Sequence, residues 1–403
     1  MALLRRSSVI IAFVIRDLKN FYHLLVALLA TIFFRFPSKE LFVIGVTGTD
    51  GKTTVVHLIA HILKTAGKKV SMISTVSAPG FHVTTPDSWQ LQKFLRNAVN
   101  QSVKYVVLEI TSHGLDQHRV FGCHFQVGVI TNVTHEHLDY HKTWDSYLRA
   151  KARLFKGVKW AVLNQDDGSY KPIVQLFKGS MIKSLTYGIK SKADLTLKNF
   201  PFKTDLLGEY NLYNCLAAIS VAGILKIANK KIRKALLSFK PVKGRMEEIN
   251  EGQNFKIFVD FAHTPNAFQQ VLPTARKITR RDLIHVFGCT GNRDRSKRPV
   301  MGEISAKFSD KIILTHEDTY HEDLKKIIAE IEPGVKRGRK ILGENYWKVY
   351  ERRKAIEKAI ELAEKGDTIL VTGVGHQKTL NIGGCEVPWS DQKVVREILK
   401  RKK

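Results

Sequence analysis

Apolar and polar positions divide the chain into three regions. At the N-terminus two apolar stretches, 9–15 and 24–34, are separated by Arg16, Asp17, Lys19 and Asn20. Neither reaches the roughly 18–20 apolar residues of a membrane span, and no small-residue cleavage site follows. The pattern predicts a short apolar helical segment over residues 1–40. It would pack on the main body as one or two helices, or lie on a membrane surface held by Arg5, Arg6, Arg16, Lys19 and Arg35.

From residue 41 the period changes. An apolar run at 41–46 stops at a glycine-rich turn, and Val56, Ile59, Ala60 and Leu63 then recur with helical spacing over 53–65. Further strands are predicted at 70–74, 105–110, 127–131 and 160–163, with helices at 146–154 and 211–227; Leu212, Leu216, Ile219 and Gly223 share one side of the last. Pro241 and Gly244 interrupt the periodicity and place a boundary near 240–244. A second alternation follows, with strands at 256–260, 283–287, 311–314 and 368–372. Strands alternating with helices imply a covered parallel sheet. The predicted fold is therefore α/β: a central domain over 41–240 built on a parallel sheet with a phosphate loop, then a smaller, Rossmann-like domain over 241–403. The basic stretch 336–340 is expected to be a solvated loop, and the tail 400–403 to fray.

Composition narrows the picture only slightly. With 403 residues, 44% of them hydrophobic and 25% charged, the chain can bury real cores and is neither disordered nor disulfide-stapled. The net charge of +28 suits anionic partners in general and selects none of them; nucleic acid is not an expected partner. Cys123, Cys215, Cys289 and Cys385 form no CxxC pair, which excludes a zinc ribbon or a thioredoxin-type motif. Reduced thiols and a cytoplasmic location fit this spacing, with membrane association if the N-terminal segment meets a bilayer.

The chemistry begins at residues 47–54, TGTDGKTT, which lie between a predicted strand and a predicted helix. A glycine loop placed there turns backbone N–H groups onto phosphate oxygens, and the helix N-terminus adds partial positive charge. Gly48, Thr49, Asp50, Gly51, Lys52, Thr53 and Thr54 form the candidate cradle for a nucleoside triphosphate. Lys52 would reach the β and γ phosphates, and the Thr53 hydroxyl would ligate Mg²⁺. The spacing is the short GxxGKT form, since residue 46 is valine.

Further motifs follow in order: TTPD (84–87), EITSHGLDQHR (109–119), TNVTHEHLDYH (131–141), AKARLF (150–155), GEYNLYN (208–214), GRMEEI (244–249), VDFAHTPNA (259–267), GNRDRSKRPVMG (291–302) and GVGHQ (373–377). Together with the short loop they closely resemble the UDP-N-acetylmuramoyl-tripeptide synthetase branch of the Mur ligases, from about Ser38 to the C-terminus. Members of that branch add the third residue of the peptidoglycan stem peptide.

The resemblance implies a role at each matching position. Glu109 would complete a first Mg²⁺ site with Thr53, using the hard oxygen ligands that Mg²⁺ prefers. His137 would hold a second Mg²⁺, and Lys151 corresponds to a carbamylated lysine that supplies oxygens where an ammonium would repel metal. Lys52, Glu109, His137 and Lys151 would then be the catalytic set. Thr84, Thr85, Thr111, Gln117 and Arg119 match positions that grip a muramoyl-dipeptide, and Asn214 matches an adenine contact. Asn211 beside it reads equally as a helix N-cap. Arg245, Asp260 and His263 match nucleotide contacts from the C-terminal domain. The implied reaction is ATP-driven amide formation through an acyl phosphate, with ATP and two Mg²⁺ ions as cofactors, and a muropeptide precursor and a free amino acid as partners.

Three departures stand out. Only 44 residues precede Gly45, where relatives carry a uridine-binding domain. Glu317, Asp318, Thr319 and Tyr320 replace the DNPR stretch of diaminopimelate enzymes, so the arginine that reads the distal carboxylate is missing. GVGHQ replaces GKGHE, putting Gln377 in place of a glutamate that contacts the amino acid. These leave open the added amino acid and the carrier of the acceptor. Rival readings are a related ligase acting on a lipid-linked muropeptide or a folate polyglutamate, a non-catalytic ATP-binding scaffold, and a nucleic-acid-stimulated ATPase.

Overall fold

The computed structural model describes residues 2–77, 84–134, 136 and 138–401, with 2–17, 138 and 139 described as backbone only. The chain divides into two compact units, one holding residues 1–134, 141–205 and 211–239, the other residues 135–140, 206–210 and 240–403.

The first unit is built on six parallel strands: β1 (Phe42–Thr47), β2 (Val70–Ile73), β3 (Tyr105–Glu109), β4 (Phe125–Ile130), β5 (Trp160–Asn164) and β6 (Lys183–Tyr187). Their order across the sheet is β2-β3-β1-β4-β5-β6. The sheet grows outward in both directions from β1. Ligands of open α/β sheets bind at the carboxyl ends of the strands where the order reverses, and here that places the loop after β1 at the reversal. Val46 of β1 pairs with Glu109 of β3, so Glu109 ends its strand beside the loop. Both faces of the central strands are covered, so β1, β3, β4 and β5 read as near-continuous apolar runs. Gly45 and Gly128 let the chain after Trp144–Ala152 pack onto the sheet: a Cβ on Gly45 would lie 2.6 Å from Leu154, and one on Gly128 2.9 Å from Phe155.

The N-terminal segment is one helix, Ala2–Phe33. The charged and polar residues at 16, 17, 19 and 20 do not break it, because none is Gly or Pro and each costs well under ~1 kcal/mol in a helix. Ala27, Ala30 and Thr31 are buried against the body. The Thr31 hydroxyl lies 2.7 Å from the Ala27 carbonyl and 3.3 Å from that of Phe121. Arg96 donates to the carbonyls of Phe34 and Arg35, at 3.0 Å each, placing a cation at the negative end of the helix dipole.

The second unit holds β7 (Glu247–Glu248), β8 (Lys256–Val259), β9 (Leu283–Phe287), β10 (Lys311–Leu314), β11 (Tyr346–Lys348) and β12 (Thr368–Val371), ordered β11-β10-β9-β12-β8-β7. All pair in parallel except β7, which runs antiparallel to β8. A separate hairpin joins β13 (Thr379–Ile382) and β14 (Cys385–Pro388). Arg352 is fully buried; it pairs with Asp391 at 2.7 and 2.8 Å and donates to the carbonyls of His316 and Thr372.

Two local expectations change. The stretch at 336–340 is not all loop: Lys336 and Arg337 end the helix Leu324–Arg337, ion-paired to Glu332 and Glu303. The tail is helical to Arg401, since Val394, Val395, Ile398 and Leu399 bury one face of that last helix.

Candidate active site

The loop between β1 and the helix Lys52–Thr65 is held from below by the end of β4. Asp50 N–H donates to Asn132 Oδ1 at 2.9 Å, and its carbonyl accepts the Thr131 hydroxyl at 2.6 Å. Thr49 N–H donates to the Asn132 carbonyl at 2.9 Å. Gly51 caps the helix at φ +83, a left-handed conformation that only glycine enters without strain. A Cβ there would stand 2.4 Å from Asn214 Oδ1. Asn214, which donates to Asn211 Oδ1 at 2.9 Å, thus lies against the phosphate loop. Asn211 falls inside the helix Glu209–Ile224 and is not its N-cap. Lys52 Nζ folds back to the Thr49 carbonyl at 2.7 Å. Thr54 is buried in the first turn.

Glu109 gathers the hydrogen bonds beside the loop. Its carboxylate is buried and accepts from the Thr53 hydroxyl, 3.0 Å from both oxygens. It also accepts from Thr75 N–H at 2.9 Å and from the Thr75 hydroxyl at 3.0 Å. A hydroxyl and a carboxylate side by side at a phosphate loop are hard oxygen donors, the kind of ligand Mg²⁺ prefers. Among the described residues no three His, Cys, Asp or Glu side chains converge as a metal cluster. His137 lies outside the described residues.

Lys151, on the helix Trp144–Ala152, is 1% exposed. Its Nζ donates to the Gly48 carbonyl at 2.6 Å and stands 4.3 Å over the Tyr147 ring. The phosphate loop thus meets Lys52 from its own helix and Lys151 from another.

The five substrate candidates connect to Glu109, Thr84 through its carboxylate and the other four through its main-chain carbonyl. The Thr75 hydroxyl bridges Glu109 and the Thr84 hydroxyl, 2.9 Å away. Thr85 Oγ1 donates to the Glu109 carbonyl at 3.3 Å and accepts Thr111 N–H at 2.9 Å. Arg119 donates to the Thr85 carbonyl at 2.8 Å, and through two nitrogens to Gln117 Oε1 at 3.0 and 2.7 Å. Sequence reasoning missed Thr75, which joins the two groups; the available signal was its place one residue past Ser74, at the end of the second predicted strand. His141, in the quoted motif 131–141 but given no role there, is bonded to the Ser112 hydroxyl at 3.0 Å.

In the second unit Asp260 accepts Met246 N–H and Ala262 N–H, both at 2.7 Å. Arg245 lies 4.6 Å over the Phe261 ring, and His263 Nδ1 donates to the Phe261 carbonyl at 2.8 Å. The three C-terminal candidates therefore gather around Phe261. The departures from the expected motifs also come together here. Gln377 Nε2 donates to Asp318 at 3.3 Å, and Thr290 donates to Glu317 at 2.5 Å. Burial raises Glu317 from 4.5 to about 7 and also raises Asp318.

Comparison with known proteins agrees with this geometry. Residues 46–222 match the Mur ligase middle domain, and residues 244–375 match the Mur ligase glutamate ligase domain. A UDP-N-acetylmuramoyl-L-alanyl-D-glutamate–2,6-diaminopimelate ligase of Geobacillus thermodenitrificans is 36% identical, over 94% of this chain and 82% of the relative. The chain belongs to the Mur ligase family. The Aquifex aeolicus protein of the same description is 40% identical over 91% of this chain and 79% of its own length. A solved diaminopimelate ligase structure aligns at TM-score 0.62 with 31% identity, covering 90% of this chain and 79% of that one. A Mycobacterium tuberculosis folylpolyglutamate synthase complexed with ADP shares the fold, at TM-score 0.71 and 15% identity over 91% and 96% of the two chains. The Mur ligase described here is therefore an ATP-dependent amide ligase, of a family that uses ATP and Mg²⁺.

Proposed function

We propose that this Mur ligase joins an amino acid to the terminal carboxylate of a muramoyl-dipeptide, in peptidoglycan precursor synthesis. The observation that carries the reading is the hydrogen-bonded chain Thr53–Glu109–Thr75–Thr84 through the carboxylate, with a second branch from the Glu109 main-chain carbonyl through Thr85 to Thr111 and Arg119. It ties the phosphate loop to a cluster able to hold an anionic peptide end, so that acceptor carboxylate and triphosphate share one support.

The acceptor carboxylate attacks the γ-phosphorus and forms an acyl phosphate while ADP leaves. The amine of the incoming amino acid then attacks the acyl carbon, the amide forms and inorganic phosphate departs. Lys52 offsets charge on the transferred phosphoryl group, and Arg119, braced by Gln117 and the Thr85 carbonyl, supplies positive charge to the acceptor carboxylate. Mg²⁺, held by Thr53 and Glu109 and at a second position by His137, would neutralise charge on the phosphoryl oxygens. Arg245, Asp260, His263 and Asn214 serve the nucleotide. Positioning and electrostatics supply most of the acceleration.

Lys151 acts in this proposal as the carbamate: its amine adds CO₂ and loses a proton, turning a buried cation at the loop into an oxygen donor. Its burial against the Gly48 carbonyl supports that role. Carbon-13 NMR in labelled bicarbonate should show a carbamate resonance that Lys151→Ala lacks. A cytoplasmic location and a peripheral membrane contact through the N-terminal segment belong to the same proposal.

A coupled ADP-release assay tests the reaction. It crosses UDP-muramoyl-dipeptide, a lipid-linked muropeptide and a folate glutamate with a panel of amino acids that includes diaminopimelate and lysine. ADP release that needs the muramoyl acceptor together with one amino acid is expected. Release with the folate acceptor alone, or no release with any pair, overturns the reading.

A further inference from the structure

The helix Ala2–Phe33 is amphipathic in the opposite sense to a surface helix of a globular protein. Its inner face, at Ala27, Ala30 and Thr31, is made of small residues. Its outer face is large and apolar: Leu18, Tyr22, Leu25, Leu29, Ile32 and Phe33 recur at helical spacing and are 44–66% exposed. Surface helices show the reverse, with polar residues outward. Exposed apolar residues scattered singly need no explanation, but a contiguous stripe marks an interaction surface.

The stripe continues onto the body. The Trp89 ring lies 5.0 Å from that of Phe33 and 5.4 Å from that of Phe34. Around this apolar strip the charge is one-sided. Lys19, Arg35, Lys39 and Lys93 are exposed. The first forty residues carry six Lys or Arg, including Arg5, Arg6 and Arg16, against Asp17 and Glu40, and Glu40 is held by Arg96 at 2.9 Å. An apolar stripe with aromatic and basic margins is the composition of a helix lying in the plane of an anionic bilayer surface.

The geometry decides between lying on the membrane and crossing it. No helix among the described residues is long and apolar enough to span. Thr31 and Arg96 tie the end of this helix to the body, and Gly122 sits so close beneath it that a Cβ there would be 2.2 Å from the Thr31 hydroxyl. Lipid cannot surround the end of a helix held this way. A second copy of the chain is the other occupant to weigh, but a symmetric contact through the stripe would set one basic margin against its equal.

We infer that the outer face of this helix, with Trp89 at its edge, docks the ligase flat on an anionic lipid surface. The inference rests on the peripheral contact proposed above, and names its face and its lipid class; the amide-forming site does not depend on it.

The test uses the full chain and sedimentation with phosphatidylcholine vesicles, with and without phosphatidylglycerol. Binding should require phosphatidylglycerol and weaken as salt is raised. Leu25→Gln, Leu29→Gln and Ile32→Gln combined keep helix propensity and should cut lipid partitioning at least about tenfold, with ADP release unchanged in the absence of vesicles. Fluorescence quenching by brominated lipid should fall in Trp89→Phe. Equal sedimentation of wild type and triple variant, or no sedimentation of the wild type, overturns the inference. So does light scattering that finds a dimer which the substitutions dissociate. Loss of vesicle binding with ADP release retained leaves the ligase reading standing, and the converse leaves the docking surface standing.

Discussion

Glu109→Gln separates the two tasks that the central carboxylate combines. The carboxylate receives one N–H, from Thr75, and two hydroxyls, from Thr53 and Thr75. A glutamine can keep its oxygen toward the Thr75 N–H, which can only donate. Its NH₂ then faces the two hydroxyls, and both can turn to accept. The shape is conserved and no buried donor is orphaned, so the folding cost should be about 1 kcal/mol or less. That amounts to a shift of ~2–4 °C for a unit of this size. Glu109→Ala, in contrast, strands the Thr75 N–H and opens a cavity, and should cost about 2–4 kcal/mol. Catalysis responds to charge instead. Losing a full anionic ligand beside the phosphate loop should lower kcat/KM by about 10²–10³ and raise the Mg²⁺ concentration needed for half-maximal rate. The assay is coupled ADP release titrated with Mg²⁺, alongside thermal unfolding of both variants. If Glu109→Gln kept its activity within about threefold with the same Mg²⁺ dependence, the carboxylate would be a structural clamp for Thr75 and no part of a metal site.

Other outcomes follow from single contacts. Gly51→Ala forces a left-handed residue and puts its Cβ into Asn214; it should cost about 1–3 kcal/mol and weaken ATP affinity measured by calorimetry. Arg352→Met leaves Asp391 buried without its cationic partner and should destabilise the second unit by about 3–5 kcal/mol in urea unfolding, while adding Asp391→Leu should recover much of the loss. Glu317 is raised from 4.5 to about 7 by burial, so the folded state holds its proton more tightly than the unfolded chain. The stability this contributes is complete below pH 4.5 and is lost as pH rises through about 7. Glu317→Gln should therefore match the wild type near pH 4.5 and exceed it by about 3 kcal/mol at pH 8, read as urea midpoints across that range.

Much of the α/β framework was legible because parallel strands buried on both faces leave unbroken apolar runs, as at 42–47, 105–109, 283–287 and 311–314. The strands that went unread lack that signal. β6 sits at the sheet edge and begins with exposed Lys183 and Ser184, β7 is two residues of glutamate, β11 is three residues at the other sheet's edge, β13 has only two buried positions, and β14 is exposed throughout. Sequence motifs located the loop and its partners, but not what joins them. Thr75 stands in no quoted motif, and only the adjacency of β2 and β3 brings it onto Glu109.

The N-terminal segment shows the same limit from the other side. Its apolar runs were visible, yet hydropathy along a line does not tell which face of a helix a body will take. Here the body takes the small side chains, because Gly122 and Thr31 meet at a distance that excludes anything larger. Close approach at that seam turns Leu25, Leu28, Leu29, Ile32 and Phe33 outward. The surface that results is a consequence of packing: replacing Gly122 with a residue bearing a Cβ should lift the helix from its seat without changing the stripe. Such a variant should lose the Arg96 contacts and gain protease sensitivity near residues 34–36 while still binding anionic vesicles. Protection at that site together with lost vesicle binding would mean that the seat and the lipid-facing surface are one structure, and that the order of cause argued here is reversed.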